Sequence, residues 1–431
     1  MSRGPVFRHL IAILAWSVAA TSLAGDDLPQ VQIPKHRLDA SELAVIVNDQ
    51  DPLSIAIADY YRKRRAIPDR NIIHISFPAQ RSQLDPDQFE ALRRMVVAST
   101  PAAVQAYALT WALPYRVGCM SITSAFTFGF DKRWCSHTRC APTAISPYFN
   151  SRSATPFTDL ELRPTIALAA NDIERARALI DRGIASDGSR PGGTAYLVST
   201  TDKARNVRAG IFPTIDKVFS PFLATRTETT DALKDRQDVL FYFTGRKEVE
   251  QLDTLRFLPG AIADHLTSTG GQLDGTRQMS ALRWLDAGAT GSYGTVVEPC
   301  NLLGKFPNPG IVMQHYLQGE TLIEAYWKSV QMPGEGIFIG EPLAAPFDFL
   351  ELSRADDRVT LHTWSLAPGS YRLEAAPAPI GPFRVIGGLI RIGFPAPALR
   401  LPVNAGEVFR LMPFTPTTTH RHNDIDASRA Q

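Results

Sequence analysis

The chain has 431 residues, 20% of them charged, and a formal net charge of +2 from 45 Lys and Arg against 43 Asp and Glu. So even a balance gives no electrostatic reason to expect nucleic acid or an anionic membrane as partner. The length exceeds what one hydrophobic core usually supports, so about two domains are expected.

The first 24 residues have a basic start (Arg3, Arg8), an apolar run from Leu10 to Ala20, and small residues Ser22 and Ala24 before Gly25. This is the pattern of a secretory signal peptide, predicted to be cut after Ala24. A membrane anchor needs about 20 apolar residues, and Ser17, Thr21 and Ser22 interrupt this shorter run. The mature protein is therefore expected in the periplasm or outside the cell, with a formal charge near zero. In that compartment Cys119, Cys135, Cys140 and Cys300 are candidates for disulfides. The short spacing in Cys135-Ser-His-Thr-Arg-Cys140 predicts a local bridge. A zinc site through His137 lacks a second ligand pair at suitable spacing, so no metal is expected.

Leu43-Ala-Val-Ile-Val47 reads as a strand covered on both faces. Asp51 then caps a helix with Pro52 in its first turn, burying Leu53, Ile57 and Tyr60 or Tyr61 and stopping before Ile67-Pro68. Asn71 to Ile75 is the next strand, and strand, helix, strand at this spacing predicts an α/β domain with a parallel crossover. A helix near Phe89 to Val97 and a strand from Val104 to Leu109 follow. Residues 114–157 carry three cysteines, read as irregular, and are expected to form an insertion over one end of the sheet. Asn171 to Gly183 reads as a helix and Tyr196 to Ser199 as a strand.

Val239-Leu-Phe-Tyr-Phe243 is a buried-type strand running into Thr244-Gly245-Arg246-Lys247. Phe257 to His265 forms a second. A helix pattern through Met279, Leu282 and Leu285 ends at Gly288, and a Gly-rich strand from Ala289 to Val297 closes on Glu298-Pro299-Cys300. The three strands are expected to lie parallel, with their carboxyl ends sharing one cleft. From about Leu352 short turn-separated runs predict a β-sandwich-like module to residue 414, and Thr415 to Gln431 reads as a disordered tail.

This order, over residues 40 to 345, resembles the secreted gingipain-type cysteine peptidases, relatives of caspases. The resemblance implies a mostly parallel sheet with helices on both faces, a catalytic His after Thr-Gly, and a nucleophile in an Ala-Cys segment at the next strand end. Here Arg246-Lys247 replace the His-Gly, and Ala263-Asp264-His265 replaces the Ala-Cys. The mature chain also resembles a secreted bacterial family without an assigned activity, found in genomes encoding exosortase-type protein sorting. The shared texture includes Pro259 to Ser268, Gly288 to Pro299, Lys305 to Pro309 and Gly340 to Leu343. That resemblance implies an envelope context.

Candidate chemistry gathers at the predicted strand ends, where open α/β sheets place ligand sites. His265 is a candidate general base oriented by Asp264 or Glu298; as a structural residue it would cap the following loop through Thr267 or Ser268. Cys300 paired with His265 would make a nucleophile and base dyad, against the alternative of a disulfide to Cys119 or a buried thiol. Arg246 and Lys247 can hold an anion, or stand as solvated loop charges. Gly291 and Ser292 are candidate ligand contacts, although Thr290 departs from the nucleophile-elbow pattern. Glycines 288, 291 and 294 permit close approach of a ligand or of a neighbouring helix, and Asn48, Asp49 and Asp51 could line the same mouth, though helix capping explains Asp51 fully. Glu298 and Glu341 are a possible acid pair. No nucleotide motif occurs and no cofactor is expected. Two functions stay open: a diverged hydrolase acting on peptides in the cell envelope, or a non-catalytic member of the fold that binds a peptide or exported protein.

Overall fold

The computed structural model describes residues 28–79, 81–136, 140–355, 358–402 and 408–414. The predicted signal peptide, His137 and the predicted tail lie outside them. Ten strands form one sheet: β1 (Leu43–Asn48), β2 (Ile72–Ile75), β3 (Ala106–Leu109), β4 (Thr165–Ala167), β5 (Thr194–Ser199), β6 (Ala224–Thr229), β7 (Val239–Gly245), β8 (Phe257–Leu266), β9 (Gly291–Thr295) and β10 (Gly336–Gly340). Their spatial order is β6-β5-β7-β8-β9-β10-β4-β3-β1-β2. Every neighbouring pair is parallel except β9 and β10, which are antiparallel. The protein is thus of the α/β class, with a large, mostly parallel sheet flanked by helices.

That single antiparallel pair divides the sheet into two halves running in opposite directions. Strands β5 to β9 end at one rim, and β1 to β4 with β10 end at the other. Asn48, Asp49 and Asp51 follow β1, so they lie at the rim opposite His265 and do not share its mouth. The expectation that they would assumed one strand direction throughout. Glu341, which follows β10, is separated from Glu298 for the same reason.

Local chemistry fixes most elements as the sequence predicts. All six residues of β1 are buried, as a strand covered on both faces requires. Asp51 accepts from the Leu53 amide and Pro52 opens the helix Pro52–Arg65, which buries Ile57 and Tyr61. The helix Ile173–Ser186 runs past Gly183, its predicted stop. A Cβ on Gly183 would lie 2.6 Å from Glu341 Cγ, so this glycine serves close packing rather than termination. Glu341 is wholly buried and accepts from Tyr61 Oη at 2.8 Å and Arg65 Nε at 2.9 Å. The region predicted as irregular contains a helix, Ile122–Phe128, that is almost entirely buried. Ser121 caps it and donates to the Gly336 carbonyl at 2.6 Å, tying it to the start of β10.

The C-terminal strands are β11 (Glu351–Ala355), β12 (Arg358–His362), β13 (Gly369–Ala376), β14 (Arg384–Ile392), β15 (Leu399–Pro402) and β16 (Val408–Pro413). Strands β11, β12 and β15 form an antiparallel sheet. In a second sheet, β13 pairs antiparallel with β14 and β16, and the short strand Gln30–Gln32 joins β16 in parallel. Val359, Leu361, Leu373, Phe409 and Leu411 form their shared core. The early strand Gln30–Gln32 therefore packs with the end of the chain, across more than 370 intervening residues.

The predicted local bridge between Cys135 and Cys140 is not made. Cys119 pairs with Cys135 and Cys140 with Cys300, with Cα separations of 5.7 and 5.4 Å. Cys135 is buried at the end of the turn Lys132–Trp134, whereas Cys140 emerges exposed and meets the loop after β9. Non-reduced peptide mapping is expected to recover these two cross-links and no 135–140 link. Opening the long Cys140–Cys300 loop is expected to cost up to about 5 kcal/mol, against up to about 3 kcal/mol for Cys119–Cys135 on the chain-entropy model, as read from urea midpoints of the paired Cys→Ser variants.

Candidate functional site

Strands β7, β8 and β9 are parallel neighbours, and Thr244 pairs with His265 across β7 and β8. Their carboxyl ends meet the loops beginning at Arg246, Thr267 and Val296. Between the ends of β8 and β9 lies an open crevice of about 230 Å³, whose lining includes Arg205, Thr267, Ser268, Glu298, Cys300 and Asn301.

Gly245 ends β7 because the chain at 205–206 crosses it: a Cβ there would lie 1.9 Å from the Arg205 carbonyl oxygen. Its own carbonyl accepts from Thr200 Oγ1 at 2.6 Å. The Thr-Gly pair is thus committed to the chain's own backbone. Gly294 is constrained likewise, since a Cβ would sit 2.4 Å from the Gly270 carbonyl carbon. Gly291 faces Leu322 and Tyr326 of the helix Leu322–Ser329. These close approaches are internal, and the ligand-contact reading of Gly291 yields to helix packing.

Asp264 and His265, adjacent in β8, point to opposite faces of the sheet. Asp264 is 1% exposed, and its Oδ1 lies 2.6 Å from Arg208 Nη1. Burial pushes its carboxyl above the usual range, and the Arg208 guanidinium pulls it back only in part. Arg208 Nη2 also donates to the Thr244 carbonyl at 2.6 Å. His265 is 2% exposed in a pocket of the core with Tyr242 and Trp284. Its Nδ1 accepts from Trp284 Nε1 at 2.9 Å, which leaves Nε2–H to donate to the Met279 carbonyl at 3.2 Å. Burial pushes its pKa down to about 3, against the pull of the Met279 carbonyl. Neither Asp264 nor Glu298 orients this ring, and it caps neither Thr267 nor Ser268.

Cys300 is bridged to Cys140, so it carries no thiolate. Glu298 is exposed and accepts from the Cys300 amide at 2.8 Å. Ser292 is wholly buried with its hydroxyl unpartnered, out of reach of any substrate in the crevice. Arg246 pairs with Asp231 at 2.6 Å; Lys247 is exposed, and its carbonyl accepts from the Met279 amide. The strand ends therefore gather Arg246, Lys247, Glu298 and Cys300 at one rim, with Asp264, His265 and Ser292 sealed beneath it.

Two residues at this rim were not found from sequence. Arg208 lies in the 3-10 turn Asn206–Ile211, and the only hint of it was a carboxylate, Asp264, set in an apolar strand that demands a cation. Arg205, three residues before it, lines the crevice, pairs with Asp202 at 3.0 Å and donates to Thr267 Oγ1 at 3.0 Å. Its segment carries no pattern that separates it from an ordinary loop. Lys305 and Glu335 form a second buried pair at 2.8 Å, and Glu335 also accepts from the Ser136 amide at 2.9 Å.

No family model matches the chain, and no curated protein matches it. Solved structures similar to it include one described as the structure of a protease, 10% identical over 88% of this chain and 98% of that one, with a TM-score of 0.40. Another is the complex of Porphyromonas gingivalis RgpB pro- and mature domains, 8% identical over 87% of this chain and 94% of that one, with a TM-score of 0.39. Overlaps this low assign no residue correspondence.

Two outcomes are expected. Between pH 6.5 and about 3 the unfolded chain takes up a proton that folded His265 refuses, so stability is lost as pH falls, by about 1.4 kcal/mol per unit. His265→Gln keeps one acceptor and one donor but does not titrate, so urea midpoints at pH 7 and pH 5 should differ less in the variant than in the wild type. Arg208→Ala, which leaves a buried carboxylate unpaired, is expected to cost about 3–5 kcal/mol. Adding Asp264→Leu should restore part of that loss, as read from the same urea titrations.

Proposed function

We propose that this is an exported, non-catalytic member of a peptidase-like α/β architecture that binds an extended peptide, or a segment of another exported protein, at the ends of β8 and β9. The observation that carries the reading is that the candidate nucleophile and base at this rim, Cys300 and His265, are already spent. The Cys300 sulfur is in a disulfide, and both ring nitrogens of His265 are engaged by Trp284 and Met279. Ser268 lines the crevice, but His265, turned into the core, gives it no base.

What the crevice does offer suits recognition. Arg205, Glu298 and Asn301 supply polar groups of both signs beside the apolar Leu266 and Phe306, and a peptide backbone needs both donors and acceptors. Two disulfides fit an oxidising compartment, as does the predicted signal peptide. A link to envelope protein sorting rests on the sequence resemblance alone.

A fluorescent library of extended peptides titrated onto the mature protein tests the reading. Saturable binding is expected, weakened about tenfold or more by Arg205→Gln, a loss of about 1.4 kcal/mol. No labelling by thiol- or serine-reactive probes is expected. Peptide hydrolysis by the wild type that Glu298→Gln abolishes would instead establish the hydrolase reading.

A further inference from the structure

Two hollows lie where the C-terminal strands meet the α/β part. The larger, a cavity of about 380 Å³, lies between residues 34–36, 150–152, 314–320, 365–371 and 413–414. Its carboxylate is already engaged: Glu320 Oε1 is 2.8 Å from His315 Nδ1, and the other oxygen accepts from Lys328 Nζ at 2.7 Å. The smaller is an open groove of about 210 Å³, lined by Arg190, Phe349, His362, Thr363 and Trp364, with Ala396 and Ala398. Arg190 lies in the loop before β5, Phe349 before β11, His362 ends β12, and the alanines lie in the loop before β15.

Trp364 is the fixed part of the groove. It stacks on Phe347, with centroids 5.9 Å and planes 20° apart, and meets Phe222 and Phe349 edge to face at 6.1 and 5.9 Å. Such packing sets the indole in one orientation before any ligand arrives. The polar groups within reach are mostly donors. Trp364 is half-buried, and its Nε1–H makes no hydrogen bond among the described residues and stays in contact with solvent. Arg190 is exposed and lies over the Phe349 ring at 4.6 Å; two of its five N–H groups go to Glu351, which leaves three. His362 Nε2 is bonded to Ser353 Oγ at 3.0 Å, and Nδ1, which can donate or accept, is unpaired among the described residues. Thr363 Oγ1 donates to the Phe349 carbonyl at 2.7 Å and accepts from the Ser365 amide at 3.0 Å, so it is engaged.

A ligand for this groove must therefore accept hydrogen bonds, have little that donates, and carry an apolar body. Sugar hydroxyls donate as well as accept, and the Glu351 carboxylate that would serve them is committed to Arg190. An enclosed small molecule is disfavoured by size, since such clefts usually start near about 300 Å³. We propose that the groove binds a proline-rich peptide in the extended polyproline conformation. Each proline has a carbonyl that accepts and no N–H in need of an acceptor, and this backbone makes no internal hydrogen bonds. Trp364 Nε1–H and Arg190 donate to its carbonyls, while the pyrrolidine rings rest on the apolar surface of Trp364, Phe349, Ala396 and Ala398. Because these residues are not those of the strand-end crevice, the assignment stands or falls apart from the function proposed above.

Fluorescence anisotropy of labelled decaproline on the mature full chain tests this, with a Gly-Ser decapeptide as control and maltohexaose as competitor. Saturable binding of decaproline is expected, about tenfold or more tighter than that of the Gly-Ser peptide and unaffected by the sugar. Trp364→Phe, which keeps an aromatic ring and removes the N–H, should weaken it about fivefold. Arg190→Gln, at an exposed position, should weaken it too and serves where Trp364→Phe costs stability. Arg205→Gln, in the strand-end crevice, should leave it unchanged. Absence of binding, equal binding of the Gly-Ser peptide, displacement by the sugar, an affinity unchanged in folded Trp364→Phe or in Arg190→Gln, or a loss confined to Arg205→Gln would each overturn the proposal.

Discussion

A guanidinium and a carboxylate, both buried, lie in contact beneath the strand ends, and the arrangement of the rim follows from them. Taking both charges out of water costs several kcal/mol per ion, which their attraction repays only with good geometry and further hydrogen bonds. Arg208 supplies those bonds by reaching the carbonyls of Thr244 at 2.6 Å and Pro307 at 3.3 Å. One side chain thus joins the end of β7, the carboxylate of β8 and the turn that opens the helix Pro309–Leu317. Lys305 and Glu335 do the same between the loop after β9 and the start of β10. The core beneath the rim is therefore built around charges that neutralise one another, and each pair ties separate strand ends together.

The reversal of strand direction between β9 and β10 has an equal influence on where function can sit. In a uniformly parallel sheet all strand ends share one rim, and acids that follow different strands can converge on one substrate. Here the reversal sends Asn48, Asp49 and Glu341 to the far rim, where Glu341 is consumed by Tyr61 and Arg65. The near rim keeps the ends of β5 to β9 and is tied to the segment at Cys140 by the Cys140–Cys300 bridge. That bridge removes the thiol that sequence placed nearest the strand ends and fastens the loop carrying Glu298 and Asn301.

How much of this was legible in the chain depended on whether the signal was local. β1, β7 and β8 are continuous apolar runs, and the Asp51-Pro52 cap is a two-residue signature, so these elements were readable. β6, Ala-Thr-Arg-Thr-Glu-Thr, is a polar edge strand with no apolar run to reveal it. β10 is five residues, Gly-Ile-Phe-Ile-Gly, and nothing in them states the direction they run. Asp264 and His265 were readable as ionisable residues ending an apolar strand, a pattern shared by catalytic groups and by buried charges with partners. What separates the two cases is the partner: Arg208 lies 56 residues before Asp264, and Trp284 lies 19 residues after His265. Neither belongs to a motif, so the sequence marked the position and left its role to tertiary contact.

The cavity beside the C-terminal strands was less legible still, since five separate segments build it and the short strand Gln30–Gln32 pairs with β16 next to it. Its chemistry nevertheless differs from that of the strand-end crevice in one definable respect. In the crevice, Arg205 is partly spent on Asp202, and Glu298 remains exposed, so both signs are presented to a ligand. In the cavity the Glu320 carboxylate is fully engaged by His315 and Lys328. A peptide backbone, which donates and accepts in equal measure, fits the surface of the crevice. What a site leaves both unpaired and within reach, more than its volume, decides which ligands it can hold.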